Sequence, residues 1–247
     1  MNLNNKGLTE LPPLSNTLIW LSCSTNRLTH LPEHLPNTLI ELYCYDNRLT
    51  RLPEHLPNSL RTLNCFNNRL TRLPHQLPNS LTTLYCYNNR LTRLPHQLPN
   101  SLTTLYCFNN RLTRLPHQLP NSLTTLYCYN NRLTRLPHKL PNTLTELYCY
   151  DNRLTMLPEQ LPSLTWFFCE NNPFLFNWKN NLKWKTNNDK LFNNYKILIN
   201  LQLETNKNSS LKIRKANPLG AIESSILSGA FLYKYMNRDI SRECSRY

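Results

Sequence analysis

Residues 69–89, RLTRLPHQLPNSLTTLYCYNN, recur without change at 111–131, and the copy between them differs only at Phe108. A period of 21 residues constrains the fold more than any other feature of the chain. A unit that short cannot bury an apolar face alone and must stack on its neighbours. About eight units run from residue 3 to 172. Two outer steps are one residue shorter, LPPLSNTL near the start and LPEQLPSL near the end.

The recurring line is L-x-x-L-x-C-x-x-N-x-L-x-x-L-P, seen at Leu39, Leu42, Cys44, Asn47, Leu49 and Leu52. Around Leu42 and Cys44 the alternation has period two, which predicts a short strand with these residues inward and Glu41, Tyr43 and Tyr45 outward. One strand per coil predicts a parallel sheet with a spacing of about 4.8 Å. The other half of each coil, LPHQLPNSL, holds two prolines with three residues between them. That excludes an α-helix and favours extended, polyproline-like backbone.

The line resembles the leucine-rich repeat, with cysteine where the third leucine usually stands, over roughly residues 3–172. It is similar to the short class of about 20 to 22 residues found in YopM-like and IpaH-like bacterial effectors. The Asn-rich and Lys-rich composition is similar to that of repeat proteins coded by giant amoebal viruses. The resemblance implies an α/β-class solenoid, with a curved parallel sheet on a concave face and extended segments on a convex one. It further implies that Asn47 and its counterparts are buried where the strand turns away, and that the concave face binds another protein without catalysis. The solenoid is expected to occupy residues 1–172 and a small helical cap residues 173–247. In the tail, Leu191, Phe192, Tyr195, Leu198 and Ile199 share one helical face, and a second helix is expected from Pro218. A solenoid end needs a cover, although the tail could instead be a separate binding element.

The nine cysteines sharpen the picture: eight of them, Cys23, Cys44, Cys65, Cys86, Cys107, Cys128, Cys149 and Cys169, hold one repeat position. This is a column of inward core residues rather than a disulfide framework, and no C-x-x-C pair is present to begin a zinc site. His75, His96, His117 and His138 lie in the proline segments, about ten residues from the cysteines, so a Cys–His catalytic pair is not expected. Cys244 lies outside the repeats, in RECSRY, without the C-x-D element of the IpaH-like ligases that the short repeats resemble. The expectation is therefore no catalytic site, no metal and no cofactor. The first residues, MNLNNKGLTE, lack the basic and apolar regions of a secretory signal, and no run of 18 apolar residues occurs, which predicts an intracellular, cytoplasmic protein.

Candidate binding residues are those expected to point out of the sheet. Tyr43, Tyr85, Tyr106, Tyr127 and Tyr148 form one file, and Tyr45, Phe66, Tyr87, Phe108, Tyr129 and Tyr150 the next. An exposed aromatic strip of that extent suits a protein surface or base stacking. Rings at strand spacing also stabilise one another, and duplication copies one choice many times. Arg69, Arg90, Arg111 and Arg132 flank the strip, and a second arginine file, Arg51 to Arg135, precedes the proline. Net charge is +14, and no acidic residue occurs between Glu54 and Glu146. Two partners follow as expectations: a protein on the concave strip, or a nucleic acid or other polyanion held by arginine and stacked on tyrosine.

Overall fold

The computed structural model describes residues 1–173; the tail expected to form helices, Cys244 included, lies outside the described residues. Eight strands of three residues each occur among the described residues: β1 Trp20–Ser22, β2 Glu41–Tyr43, β3 Thr62–Asn64, β4 Thr83–Tyr85, β5 Thr104–Tyr106, β6 Thr125–Tyr127, β7 Glu146–Tyr148 and β8 Trp166–Phe168. They pair in parallel in chain order, with Leu21, Leu42, Leu63, Leu84, Leu105, Leu126, Leu147 and Phe167 in register. The last step is a residue shorter than the others, yet Phe167 keeps the register. The lost residue comes from the loop opposite the sheet, where a deletion moves no strand partner.

Each coil closes over apolar positions that its neighbours complete. Leu84, Cys86, Leu91 and Leu102 are fully withdrawn from solvent, and the same holds for their equivalents from Leu21 to Leu147. No single coil could bury these side chains, so the core is a property of the stack.

Four residues past the strand, an asparagine turns the chain and fastens it to the previous coil. Asn89 Nδ2 lies 3.0 Å from the Cys65 carbonyl oxygen, 3.3 Å from that of Cys86 and 3.2 Å from that of Tyr87. Its Oδ1 accepts the Leu70 amide at 2.9 Å. Asn47, Asn68, Asn131 and Asn152 repeat this pattern and are likewise buried. A buried backbone group left without such a partner costs about 1–3 kcal/mol.

The proline half-coil holds no helix and has its own fastening. Leu81 donates its amide to the Pro78 carbonyl at 3.0 Å, closing a turn. The Ser80 hydroxyl lies 2.7 Å from the Asn58 carbonyl and 2.6 Å from that of Leu60, joining this coil to the preceding one. Thr38, Ser59, Ser101, Ser122 and Thr143 do the same in their coils. Prolines cannot donate amides, so these hydroxyls supply donors that the segment otherwise lacks.

The residue before each buried asparagine adopts left-handed backbone, with φ of 52° at Asp46, 49° at Asn67, 51° at Asn88 and 51° at Asn109. Asparagine and aspartate tolerate this region better than other side chains. Thr25 stands at the same position with φ 54°, where a β-branched side chain is strained. Replacing it, Thr25→Asn, is expected to stabilise the protein by about 1 kcal/mol, read as a higher urea midpoint. An unchanged or lower midpoint would show that the first full coil accommodates threonine without strain.

Candidate binding faces

Two sides of the stack carry repeated chemistry: the face of the sheet and the side formed by the proline segments. On the sheet face, the first strand position is threonine in the centre, at Thr62, Thr83, Thr104 and Thr125, all half-buried, with Glu41 and Glu146 at the flanks. The third position carries the first aromatic file, and the residue after the cysteine carries the second.

The exposed strip expected from the sequence is mostly a packed one. Phe66, Tyr87, Phe108 and Tyr129 of the second file are buried, Phe108 to 1% exposure, and Tyr127 and Tyr148 of the first file are buried as well. Tyr43, Tyr45, Tyr85, Tyr106 and Tyr150 are half-buried. The cause is spacing. Tyr87 and Phe108 stack with centroids 4.3 Å apart, Phe108 and Tyr129 also at 4.3 Å, Tyr106 and Tyr127 at 4.3 Å, and Tyr127 and Tyr148 at 4.2 Å. Strands about 4.8 Å apart bring equivalent rings to stacking distance, so each ring covers its neighbour's face. The inner rings of these runs have a neighbour against each face, which leaves little room for a nucleobase to stack.

The flanking carboxylates tie off the phenols. Tyr127 donates its hydroxyl to Glu146 Oε2 at 2.6 Å, and Tyr43 donates to Glu41 Oε2 at 3.0 Å. Burial, then the neighbouring Tyr106 phenol and the Glu146 bond, push the Tyr127 hydroxyl well above its ordinary range. Burial also raises Tyr148 and Tyr150. These phenols are hydrogen-bonding groups, not bases.

Next to the rings runs a row of side-chain amides that the sequence reading passed over. Asn67 Nδ2 donates to Asp46 Oδ1, Asn88 to Asn67, Asn109 to Asn88 and Asn130 to Asn109, each at 2.6 Å. The signal was present as a second asparagine beside the motif one. It takes the left-handed backbone to aim those amides along the stack.

Beyond the amides come the arginines. Arg69, Arg90, Arg111 and Arg132 are exposed, as are Arg72, Arg93, Arg114 and Arg135. Arg51 pairs with Glu33 at 3.3 Å, while none of those eight has an ion pair among the described residues. Like charges about 5 Å apart in water repel by roughly 0.8 kcal/mol, a modest cost that an anionic ligand would offset. On the proline side an open groove of about 1840 Å³ runs from Glu54 to Thr143, lined by leucines, prolines and the histidine file.

The cysteine column is chemically quiet. All eight described cysteines are buried and none of them forms a disulfide. Burial pushes the Cys23, Cys65 and Cys128 thiols up to about 12, and Cys44, Cys86, Cys107 and Cys149 well above the usual range. Among the described residues no group of three or more His, Cys, Asp and Glu converges as a metal site. No helix among them is long and apolar enough to cross a membrane.

Known proteins share this arrangement. A family model for leucine-rich repeats, two copies, matches residues 79–121. The leucine-rich-repeat domain of a Shigella effector is 32% identical with a TM-score of 0.58, over 64% of this chain and 71% of that one. This chain belongs to the leucine-rich-repeat family. Within it, YopM from Yersinia enterocolitica WA-314 is 36% identical with a TM-score of 0.67, over 71% of this chain. YopM from Yersinia pestis, an effector protein, is 42% identical with a TM-score of 0.64, over 69% of this chain. The chain spans 38% and 48% of those two YopM chains respectively. No curated protein matches the sequence. The likeness to YopM-like effectors therefore agrees with the resemblance read from the repeat.

The buried thiols generate a pH prediction for this leucine-rich-repeat stack. An unfolded chain releases thiol protons from about pH 8.5, whereas Cys23, Cys65 and Cys128 hold theirs to about 12 when folded. Folded values raised in this way leave stability intact below about pH 8.5 and erode it as pH rises, by up to about 1.4 kcal/mol per pH unit for each buried thiol. Under reducing conditions the urea midpoint is expected to fall markedly between pH 7.5 and pH 10. Equal midpoints at the two pH values would mean that the thiols are accessible.

Proposed function

We propose that this protein is a non-catalytic interaction scaffold that binds a partner protein across the sheet face of its central coils. The observation that carries the reading is the uninterrupted eight-strand parallel sheet, whose central coils repeat one rigid outward surface of threonine, phenol edge and amide. Membership of a family with effector-like neighbours supports a protein partner. Tyr43, Tyr85 and Tyr106 supply half-exposed edges with few rotatable bonds, which suit contact with another protein at low entropic cost. Tyr45, Phe66, Tyr87, Phe108, Tyr129 and Tyr150 stack in the adjacent file and stiffen the same face. Arg69, Arg90, Arg111 and Arg132 flank the surface and favour a partner with an acidic rim.

The histidine and cysteine files lie in different halves of each coil and the thiols keep their protons, which supports a binding role over nucleophilic chemistry. Base stacking on the tyrosines, the other route expected from the sequence, finds no support in rings whose faces cover one another.

Thr83→Glu with Thr104→Glu changes the half-exposed strand positions without removing a stacked ring. Crosslinking and mass spectrometry on intact cells are expected to show the direct partners falling at least about tenfold in recovery, with thermal stability retained. The same partners at unchanged levels, from a folded variant, would place binding elsewhere.

A further inference from the structure

Arg69, Arg72 and His75 stand three residues apart outside any strand and are all exposed. The next three coils repeat the triplet, ending at Arg132, Arg135 and His138. The result is a grid of three exposed files, each four coils long.

The grid has edges. On the coil before it, the third position is Glu54, whose Oε1 accepts the His75 amide at 2.9 Å. One coil earlier, Glu33 neutralises Arg51 at 3.3 Å. On the coil after it, the second and third positions are Met156 and Glu159. Acid-free Arg-Arg-His triplets therefore occupy only the four central coils. With about 4.8 Å between coils, each file of the grid runs about 14 Å along the stack.

Three properties narrow the ligand. The charged groups are guanidinium forks, which pair with phosphate through two parallel hydrogen bonds, where lysine offers only a point charge. The histidine file, with Arg114 and Arg135, lines the groove of about 1840 Å³, so a linear anion can lie where a flat membrane surface would not reach. Each file takes one residue from every central coil in turn along the stack. A duplex turns its backbone across such a row, while an extended single strand can follow it.

We propose that this side of the four central coils binds the phosphodiester backbone of a single-stranded nucleic acid, laid along the stack, independently of the protein-binding sheet face. Phosphates sit on the file from Arg72 to Arg135, and the imidazoles and the Gln97 and Asn100 amides meet sugars or base edges in the groove. Recognition is of the backbone, with little dependence on base sequence.

The test is fluorescence anisotropy of the full chain with a labelled oligouridylate of about 20 nucleotides, longer than one such patch spans. Neutralising about four phosphates of a single strand gives a log–log salt slope of about −2.8, so affinity is expected to fall about 50-fold between about 50 and about 200 mM salt. Arg93→Gln with Arg114→Gln alters only exposed charges; it is expected to weaken binding at least tenfold and to make the slope shallower by about 1.4. Arg27→Gln with Arg153→Gln, outside the grid, is expected to stay within about twofold of the parent. Polyglutamate is expected to displace the oligonucleotide poorly. The proposal is overturned if the oligonucleotide does not bind at low salt or if the central variant binds like the parent. It fails too if polyglutamate competes equally well, marking an acidic-peptide site, or if phosphatidylserine vesicles bind and the oligonucleotide does not.

Discussion

The buried asparagine at the end of each strand is the contact on which the rest of the molecule depends. Through Asn89, one side chain reaches the Cys65 carbonyl of the preceding coil, two carbonyls of its own turn, and the Leu70 amide. Leucine burial drives the coils together but fixes no register, since apolar contact has no direction. The amide does fix it, because a slip of one residue would leave donors and acceptors orphaned in the core. A buried polar network of this kind is stabilising only when every member is satisfied. Duplication preserves that condition by copying the partners along with the asparagine.

Once register is set, every side chain meets its own copy at one strand spacing, and the consequences depend on its chemistry. Phenyl and phenol rings gain, because the interval between coils is close to their stacking distance. Amides gain as well, forming the chain from Asn130 back to Asp46. Thiols become a dry column. Guanidinium groups lose, since like charges are held side by side, and that standing repulsion makes the arginine side receptive to an anion. The protein thus carries two faces of different character: an apolar-edged sheet suited to a protein surface, and a cationic side with a groove suited to phosphate.

Much of the fold could be read from residues alone. The period, the alternation around Leu42 and Cys44, and the paired prolines led to a parallel sheet backed by extended segments, and the asparagine position led to a buried turn. The aromatic files were harder. Alternation correctly directs Tyr87 and Phe108 away from the leucine core, but it cannot say whether a residue pointing outward meets water or its neighbour's ring. That depends on the distance between coils compared with ring thickness, a relation between copies that lies outside any single one. The amide row was missed for a similar reason, since its geometry needs left-handed backbone at Asn67, Asn88 and Asn109. The cationic grid was visible only in part: the two arginine files stood out, but not the groove that Arg114 and Arg135 line together with the histidines.

Both proposed surfaces require coils fastened in register through the asparagine. Amide hydrogen exchange reads that fastening directly at Leu70, Leu91 and Leu112, whose N–H groups donate to Asn89, Asn110 and Asn131 from outside any strand. The account predicts that these amides exchange as slowly as those of the central strands, opening only with the stack as a whole. Rapid exchange there, with the strand amides still protected, would contradict it.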